Sequence, residues 1–399
     1  MNGKPAAIGA LWLGIQVVWG AILGISLQVR ATEFGLPNPV TAYAVVAACG
    51  AILAAITQVA VGFLSDRRRA RVGHRREFYI AGALIALPAL VAFYLVPAYG
   101  AFILAFAALQ IGMNVFGGPY QAAVPDHVPP SRSGSASAWM SGYQFVGQCL
   151  GLAIATFAND AVAAVSIAGI LAATLGVTFL HLRELPAVRP ARIDLRLDRN
   201  FRTLLASRAW INLGFYTFVG FMFFFVRDLF GASGARQTTG VLFLSFTLSG
   251  TLGAVLAGRA SDRVDKRVVV SIAGIGVALT LGVLAFSHSL AMVLVSGTLA
   301  GIAWGAFFTA DWAIAFVVLP GQAMATAMGV WNLAAAVPQI VAPVLGAAIV
   351  ASAGDRMVHL ATVIEFAIGT LWLWRLPPLR SEPLGNPEVA VATVHQPVV

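Results

Sequence analysis

Charged residues are scarce in this chain of 399 residues: Asp, Glu, Lys and Arg make up 10% of it, and hydrophobic residues 59%. Soluble domains carry about 25% charged residues. The mean hydropathy is +0.85. This composition excludes an ordinary soluble enzyme, a disordered chain and, despite a net charge of +9, a nucleic-acid-binding protein. It is typical of a chain that lies largely within a membrane.

Cysteine and histidine are also rare, and neither residue type has the spacing of a disulfide framework, a metal site or a catalytic centre. The two cysteines, Cys49 and Cys149, lie inside apolar runs, so no disulfide framework or thiolate metal site is expected. The six histidines lie singly, without metal spacing or a partnered nucleophile. No glycine-rich phosphate-binding loop is present. These absences predict a protein that is not an enzyme, holds no metal or other cofactor and is not driven by ATP.

Long apolar runs dominate what is present. Twelve segments, each close to the roughly 20 residues that a spanning helix needs, follow one another along the chain. Of the 25 Lys and Arg residues, 21 lie in one alternating set of loops and termini, and four lie in the other set: Arg30, Arg227, Arg236 and Arg356. Because positive residues concentrate on the cytoplasmic side, this bias predicts an even number of spans and cytoplasmic termini. The expected location is the cell membrane, as a multi-pass protein.

A hydrophilic interval divides the chain near its middle. It predicts a cytoplasmic linker at residues 183–208, between six-helix halves at residues 1–182 and 209–376. The proline-rich residues 377–399 predict a disordered cytoplasmic tail.

The two halves share a sequence motif. GFLSDR at residues 62–67 recurs as GRASDR at residues 258–263, and an arginine follows each copy at the same spacing. The offset between the copies is 196 residues, close to half the chain. A parallel internal repeat of six helices is typical of one large transporter architecture.

The repeated motif resembles the loop between helices two and three of the major facilitator superfamily. The longer form GFLSDRRRARVGHRREF, at residues 62–78, is similar to the glycoside–pentoside–hexuronide symporters and the sucrose transporters, except that His74 stands where arginine is more usual. Residues 118–138 and the stretch GVWNLAAAVPQIVAP at residues 329–343 support the same branch. The resemblance implies an all-α membrane protein of twelve transmembrane helices in two pseudo-symmetric six-helix bundles, which bind solute between them and alternate access.

The charged motif itself is a candidate conformational latch. Asp66 lies just past a helix C-terminus, where the helix dipole disfavours an anion, so its carboxylate needs a compensating partner. The resemblance implies that this partner is helix eleven, across the interface between the halves. The alternative is that these charges only set topology. The predicted latch residues are Gly62, Asp66, Arg67, Arg71, Gly73, Arg75, Arg76, Gly258, Asp262, Arg263 and Arg267.

Amide and aromatic residues within the apolar segments are the candidate solute ligands. Amides donate and accept hydrogen bonds, as hydroxyl groups require, and aromatic faces suit the C–H faces of a sugar ring. The candidates are Trp12, Gln16, Trp19, Gln110, Asn114, Tyr143, Gln144, Asn212, Tyr216, Trp304, Trp331 and Asn332, and the further amides are Gln148 and Gln339. By resemblance, helices one, four, seven and ten line the cavity. Each amide could instead hold neighbouring helices together.

Three carboxylates lie within or at the edge of the apolar segments: Asp126, Asp311 and Glu365. Ionisable groups are costly in a membrane, so each is a candidate for proton coupling. The alternatives are a loop cap for Asp126, an interface hydrogen bond for Asp311 and helix packing for Glu365.

Together these patterns predict a secondary active transporter of a small hydroxylated solute, such as a sugar or glycoside, by proton-coupled symport. The expected partners are the solute, a proton or other cation and the lipid bilayer, with no nucleic acid and a monomeric state. The alternatives are an efflux carrier for drug-like or metabolite solutes and a non-transporting membrane sensor.

Overall fold

The computed structural model describes residues 5–72, 75–121, 133–182, 199–261, 263–318 and 324–378. These residues form helices and short connections, and no strand occurs among them. A short helix, Pro5–Gly9, precedes twelve long helices. The long helices are α1 (Leu11–Glu33), α2 (Pro39–Val72), α3 (Arg76–Leu95), α4 (Tyr99–Gln121), α5 (Ser133–Phe157), α6 (Asp160–His181), α7 (Arg199–Phe230), α8 (Ala235–Ser261), α9 (Lys266–Ala285), α10 (Leu290–Val318), α11 (Met324–Ala353) and α12 (Asp355–Leu373).

Eleven stretches of helix in the described part of the chain are long and apolar enough to cross a membrane, and they fall on every long helix except α5. Many large apolar side chains on these helices are exposed, including Val59, Leu84, Leu104 and Leu180. Such a surface is stable when lipid surrounds it. The prediction of an all-α membrane protein with twelve long helices is confirmed.

The packing of the first six helices recurs in the last six. Helix α1 packs against α5 and α6, and α7 packs likewise against α11 and α12. Helix α4 packs against α2 and α3, and α10 against α8 and α9. The pairs α2–α11 and α5–α8 join the two sets of helices. A six-helix unit therefore occurs twice, which the repeated motif predicted.

The helix ends form two faces of the bundle. The basic face is where α2, α6 and α8 end and α3, α7 and α9 begin; its described residues include Arg75, Arg76 and Arg267. The opposite face is where α1, α5 and α7 end and α2, α6 and α8 begin.

Two helices extend beyond the boundaries that the sequence predicted. Helix α7 begins at Arg199, so residues 199–208 of the predicted linker are helical. Helix α10 continues to Val318, which places Asp311 inside it rather than at its end. In both cases a charged residue, Arg208 or Asp311, lies just beyond the apolar segment that the sequence defined, so a helix boundary was expected there. In the structure the two charges neutralise each other, because Arg208 and Asp311 form a buried ion pair.

Helix α1 contains a π-turn at Ile22–Ser26. Near it, the Nε2 atom of Gln28 donates to the Leu23 carbonyl at 3.2 Å and to the Val219 carbonyl of α7 at 3.3 Å. Such turns are frequent at functional sites because they re-aim the side chains around them. No signal in the sequence indicated this one.

Candidate functional site

Two connected chambers lie between the six-helix sets. The first has a volume of about 210 Å³ and the second about 270 Å³. They share four lining residues: Trp19, Leu23, Gln110 and Gln339. Together they fall in the range of about 300–1,000 Å³ that is typical of small-molecule sites.

Amides and hydroxyls provide the polar lining of the chambers. Gln16, Gln110, Gln148 and Gln339 line the first chamber with the hydroxyl-bearing Tyr43, Tyr216 and Thr247. Gln58 and Asn114 join Gln110 and Gln339 in the second. No charged side chain among the described residues lines either chamber. The lining can therefore exchange hydrogen bonds with a neutral solute, but offers it no ion pair.

Aromatic rings form much of the remaining wall of the first chamber. Trp19, Phe106, Phe215, Phe243 and Phe246 line it. Behind this wall, the Trp304 ring stacks on Phe215 with 4.1 Å between ring centroids and 5° between ring planes. The stack fixes the orientation of Phe215, so this part of the chamber wall is rigid and apolar.

The structure brings together five of the twelve candidate ligands. Gln16, Trp19, Gln110 and Tyr216 line the first chamber, and Asn114 lines the second. The spacing on α1 predicts one helix face for Trp12, Gln16 and Trp19, and of these Gln16 and Trp19 line the first chamber.

Six candidate ligands lie outside both chambers, so their role as solute ligands stays a prediction. Trp12 packs against Tyr120, at 5.5 Å between ring centroids, and Asn212 donates to the backbone carbonyl of Arg208 at 2.9 Å. The others are Tyr143, Gln144, Trp304 and Trp331. Each has the right residue type, but its helix orients it away from both chambers. The Asn332 side chain lies outside the part that the structure describes.

The set of cavity-lining helices also differs from expectation. Helices α2, α5, α8 and α11 contribute lining residues, whereas α10 contributes none to either chamber among its described residues. Tyr43, Gln58 and Thr247 were therefore missed. Each lies in a largely apolar helix, and only packing distinguishes it from a polar residue that joins helices.

The predicted latch residues are only partly described. The structure places residues 66–71 at the end of α2 without describing the side chains of Asp66, Arg67 and Arg71, and Gly73 and Asp262 lie outside the described residues. Gly62 and Gly258 have open space or an ordinary contact where a Cβ would lie.

The described hydrogen bonds of the remaining latch arginines stay within one set of six helices. Arg76 donates to the Leu182 carbonyl at 3.2 Å, and Arg75 to the Pro119 carbonyl at 3.4 Å. Arg267 pairs with Asp265 at 2.8 Å and donates to the Leu376 carbonyl at 2.6 Å, which ties α9 to the end of α12. Arg263 is exposed. The latch across the interface stays a prediction.

An ionic cluster joins the two sets of helices at the opposite face. Arg236 of α8 donates to the Ala155 carbonyl of α5 at 2.7 Å and to the Asp160 carboxylate of α6 at 3.0 Å. Arg30 of α1 lies 3.8 Å from the same carboxylate and also pairs with Glu33. Gly240, one turn after Arg236, allows α8 to approach Thr156 of α5 closely. We expect these contacts to hold the opposite face closed.

Replacing Arg236 with glutamine is expected to open the opposite face more often. The loss of charge-assisted hydrogen bonds at a partly exposed site costs about 1–2 kcal/mol, which shifts a two-state population about 5- to 30-fold. The measurement is the labelling rate of Thr247→Cys, in a Cys49→Ser/Cys149→Ser background, by a membrane-impermeant thiol reagent added from that face. Arg356→Gln is the control, because Arg356 is exposed at the same face and its described polar contact is with His288 of the same helix set. Equal rates in all variants would contradict a closing role.

The three candidate carboxylates have different surroundings. Asp126 lies outside the described residues. Asp311 is buried and pairs with Arg208 of α7, whose guanidinium stacks on Trp331 of α11 at 4.0 Å from the ring centroid. Glu365 of α12 is 4% exposed, and its Oε2 atom has no hydrogen-bond partner among the described residues.

Glu365 lies one helix away from the solute chamber. Its Cβ is 3.4 Å from where a Cβ on Gly214 of α7 would lie, and the absent side chain of Gly214 makes room for the ring of the adjacent Phe366. The next two residues of α7, Phe215 and Tyr216, line the chamber. Changes at Glu365 and in the chamber therefore act on the same turn of α7.

The family profile described as Major Facilitator Superfamily matches residues 7–239 and 209–398. The chain belongs to this superfamily. Its membership explains the twelve helices and the repeated six-helix packing, and it confirms the resemblance to the superfamily that the motif repeated at residues 62–67 and 258–263 indicated.

Individual relatives are distant. Sucrose transport protein SUC4 of Arabidopsis thaliana is 28% identical over 168 residues, and the match covers 38% of this chain and 32% of that protein. The chain thus spans about a third of the length of this curated relative.

The crystal structure of nucleoside transporter NupG aligns with a TM-score of 0.74 at 13% identity, covering 94% of this chain and 99% of that one. A D-xylose-proton symporter aligns with a TM-score of 0.70 at 14% identity, covering 94% and 97%. At these identities the structures show a common fold.

Proposed function

We propose that this chain moves a small neutral, hydroxylated solute across the cell membrane by alternating access, with proton symport. The observation that carries the proposal is the chamber between the two helix sets, lined by amides and aromatic rings and by no charged side chain among the described residues. Amides suit the hydroxyl groups of a sugar ring, and aromatic faces suit its C–H faces. The sucrose-transporting relative and the xylose-transporting structural neighbour support this class of solute.

The proposed proton carrier is Glu365. A carrier must gain and lose a proton during the cycle. Asp311 is a poorer candidate, because its carboxylate already forms a buried ion pair with Arg208. Glu365 has no such cation beside it among the described contacts, and it touches α7 behind the chamber wall.

The proposed orientation places the basic face and both termini in the cytoplasm, because 21 of the 25 Lys and Arg residues lie on that side. In a cysteine-free background, an impermeant thiol reagent added to intact cells should label Ala232→Cys and leave Arg202→Cys unlabelled. Labelling of both from outside would contradict this orientation.

The solute class is tested by binding. Pentoses, hexoses, disaccharides and nucleosides should be screened for thermal stabilisation of the purified protein, and active compounds tested for flux in vesicles. Gln110 is 4% exposed and lines both chambers, so Gln110→Ala should weaken binding of the active solute about 2- to 13-fold, the effect of about 0.5–1.5 kcal/mol for one hydrogen bond.

Gln144→Ala is the matched control, because Gln144 is an amide that lines neither chamber. Its affinity should stay within about twofold of wild type. Stabilisation by charged or large apolar compounds instead of hydroxylated ones would support an efflux carrier. Binding without flux would support a sensor.

A further inference from the structure

A groove runs along the outer surface of the second helix set, between α8 and α9. Its volume is about 480 Å³. Helices α8 and α9 both pack closely against α10 but have little contact with each other, so α10 forms the floor of the gap between them. Small residues on all three helices make the groove deep. They are Gly253, Ala257, Ala260, Ala273, Gly276, Ala303 and Ala306.

The groove is apolar along its whole length. Its rim consists of exposed side chains such as Leu256, Ile272 and Leu299. The hydroxyl of Thr280 donates to the Gly276 carbonyl of its own helix at 2.8 Å, so it offers no free donor to an occupant. An occupant of the groove gains by contact with hydrocarbon surface, as an acyl chain does.

The length of the groove matches one leaflet of a bilayer. On α9 its lining extends from Val268, next to the basic face, to Thr280. At 1.5 Å per residue this distance is about 18 Å. The hydrocarbon core of a bilayer is about 30 Å thick, so one leaflet contributes about 15 Å. A chain anchored at the basic face would therefore fill the groove and end near the midplane.

Two arginines stand at the basic end of the groove. Arg263 lies between Ala260 and Val264, which both line the groove, and Arg259 follows Leu256 by three residues on the same side of α8. Both arginines are exposed, and neither has an ion-pair partner among the described residues. A phosphate at the membrane surface is the group that such a pair binds.

We propose that this groove binds an anionic phospholipid, with one acyl chain between α8 and α9 and its phosphate at Arg259 and Arg263. A second copy of the chain fits the groove less well. A two-fold symmetric interface there would bring four exposed arginines together at one membrane level, and like charges oppose such contact. The lipid phosphate instead brings an opposite charge to the two arginines.

Photocrosslinking tests the proposal. The photoreactive residue p-benzoylphenylalanine is placed at Ile272, on the rim, or at Ile275, which is exposed on the same helix but outside the groove. The full chain is reconstituted in vesicles of one part phosphatidylglycerol to nine parts phosphatidylcholine. If each arginine contributes about fivefold, phosphatidylglycerol should form about three quarters of the lipid adducts at residue 272. At residue 275 its share should stay near the bulk tenth.

The charge dependence provides the decisive comparison. The double variant Arg259→Gln/Arg263→Gln should return the share at residue 272 to the bulk value. Arg202→Gln should leave it unchanged, because Arg202 is exposed at the same face but lies on α7. Equal shares at residues 272 and 275, an unchanged share in the double variant, or adducts to a second copy of the chain would each overturn the proposal.

Discussion

Glu365→Gln is expected to abolish uphill accumulation of solute while leaving exchange intact. Glutamine has nearly the shape of glutamate but carries no titratable proton, so the packing against Gly214 should survive while coupling is lost. With one proton per solute, a gradient of one pH unit supports up to a tenfold solute gradient, since each factor of ten corresponds to about 1.4 kcal/mol. In the variant this ratio should fall to one.

The measurement compares pH-driven uptake with solute counterflow in the same vesicles. Asp228→Asn, which removes an exposed carboxylate at the opposite face, is the control and should accumulate solute like wild type. Retained accumulation in Glu365→Gln would exclude Glu365 as the carrier. Loss of both accumulation and counterflow would assign it a structural role instead, and would leave Asp126 or Asp311 to be tested in the same way.

Removing one partner of the Arg208–Asp311 pair is expected to have the largest effect on stability. Both side chains are buried, with exposures of 7% and 5%, and they join α7 to α10 while Trp331 of α11 covers the guanidinium. Arg208→Met leaves a buried carboxylate without its cation, and Asp311→Leu leaves a buried guanidinium without its anion. Each should lower the free energy of unfolding by about 3–5 kcal/mol.

The double variant Arg208→Met/Asp311→Leu should recover most of this loss, because replacing a buried pair with apolar residues of similar volume is often close to neutral. Reversible unfolding of the purified protein in detergent, monitored by fluorescence, gives the four free energies of this cycle. Additive losses in the double variant would mean that the two charges do not stabilise each other. If the double variant also accumulates solute, Asp311 is excluded as the proton carrier.

We propose a sugar-like solute rather than a drug-like cation or an organic anion for a physical reason. Drug-like cations or organic anions gain from an opposite charge in a low-dielectric site, and no charged side chain among the described residues lines the chambers. A neutral polyol instead needs donors and acceptors that can adapt to several hydroxyl groups. The amides Gln16, Gln110, Gln148 and Gln339 provide both.

The sequence alone determined the membrane fold. Apolar runs of spanning length, few charges and a 196-residue repeat are local properties, and they predicted twelve long helices and the family before any contact was known. It also indicated part of the site. The 3.6-residue period of a helix placed Gln16 and Trp19 on one face, and both line the chamber.

Only the tertiary structure decided which polar residues face solute and which face another helix. Gln110 and Asn212 look alike in sequence, as amides in apolar helices, yet Gln110 lines both chambers and Asn212 bonds within its own helix. The rotation of each helix about its own axis makes this difference. That rotation depends on packing between residues far apart in the chain. For the same reason Arg208 was taken as a linker residue. Its partner Asp311 is 103 positions away, and a charge that marks a helix boundary when alone can lie within a helix once it is paired.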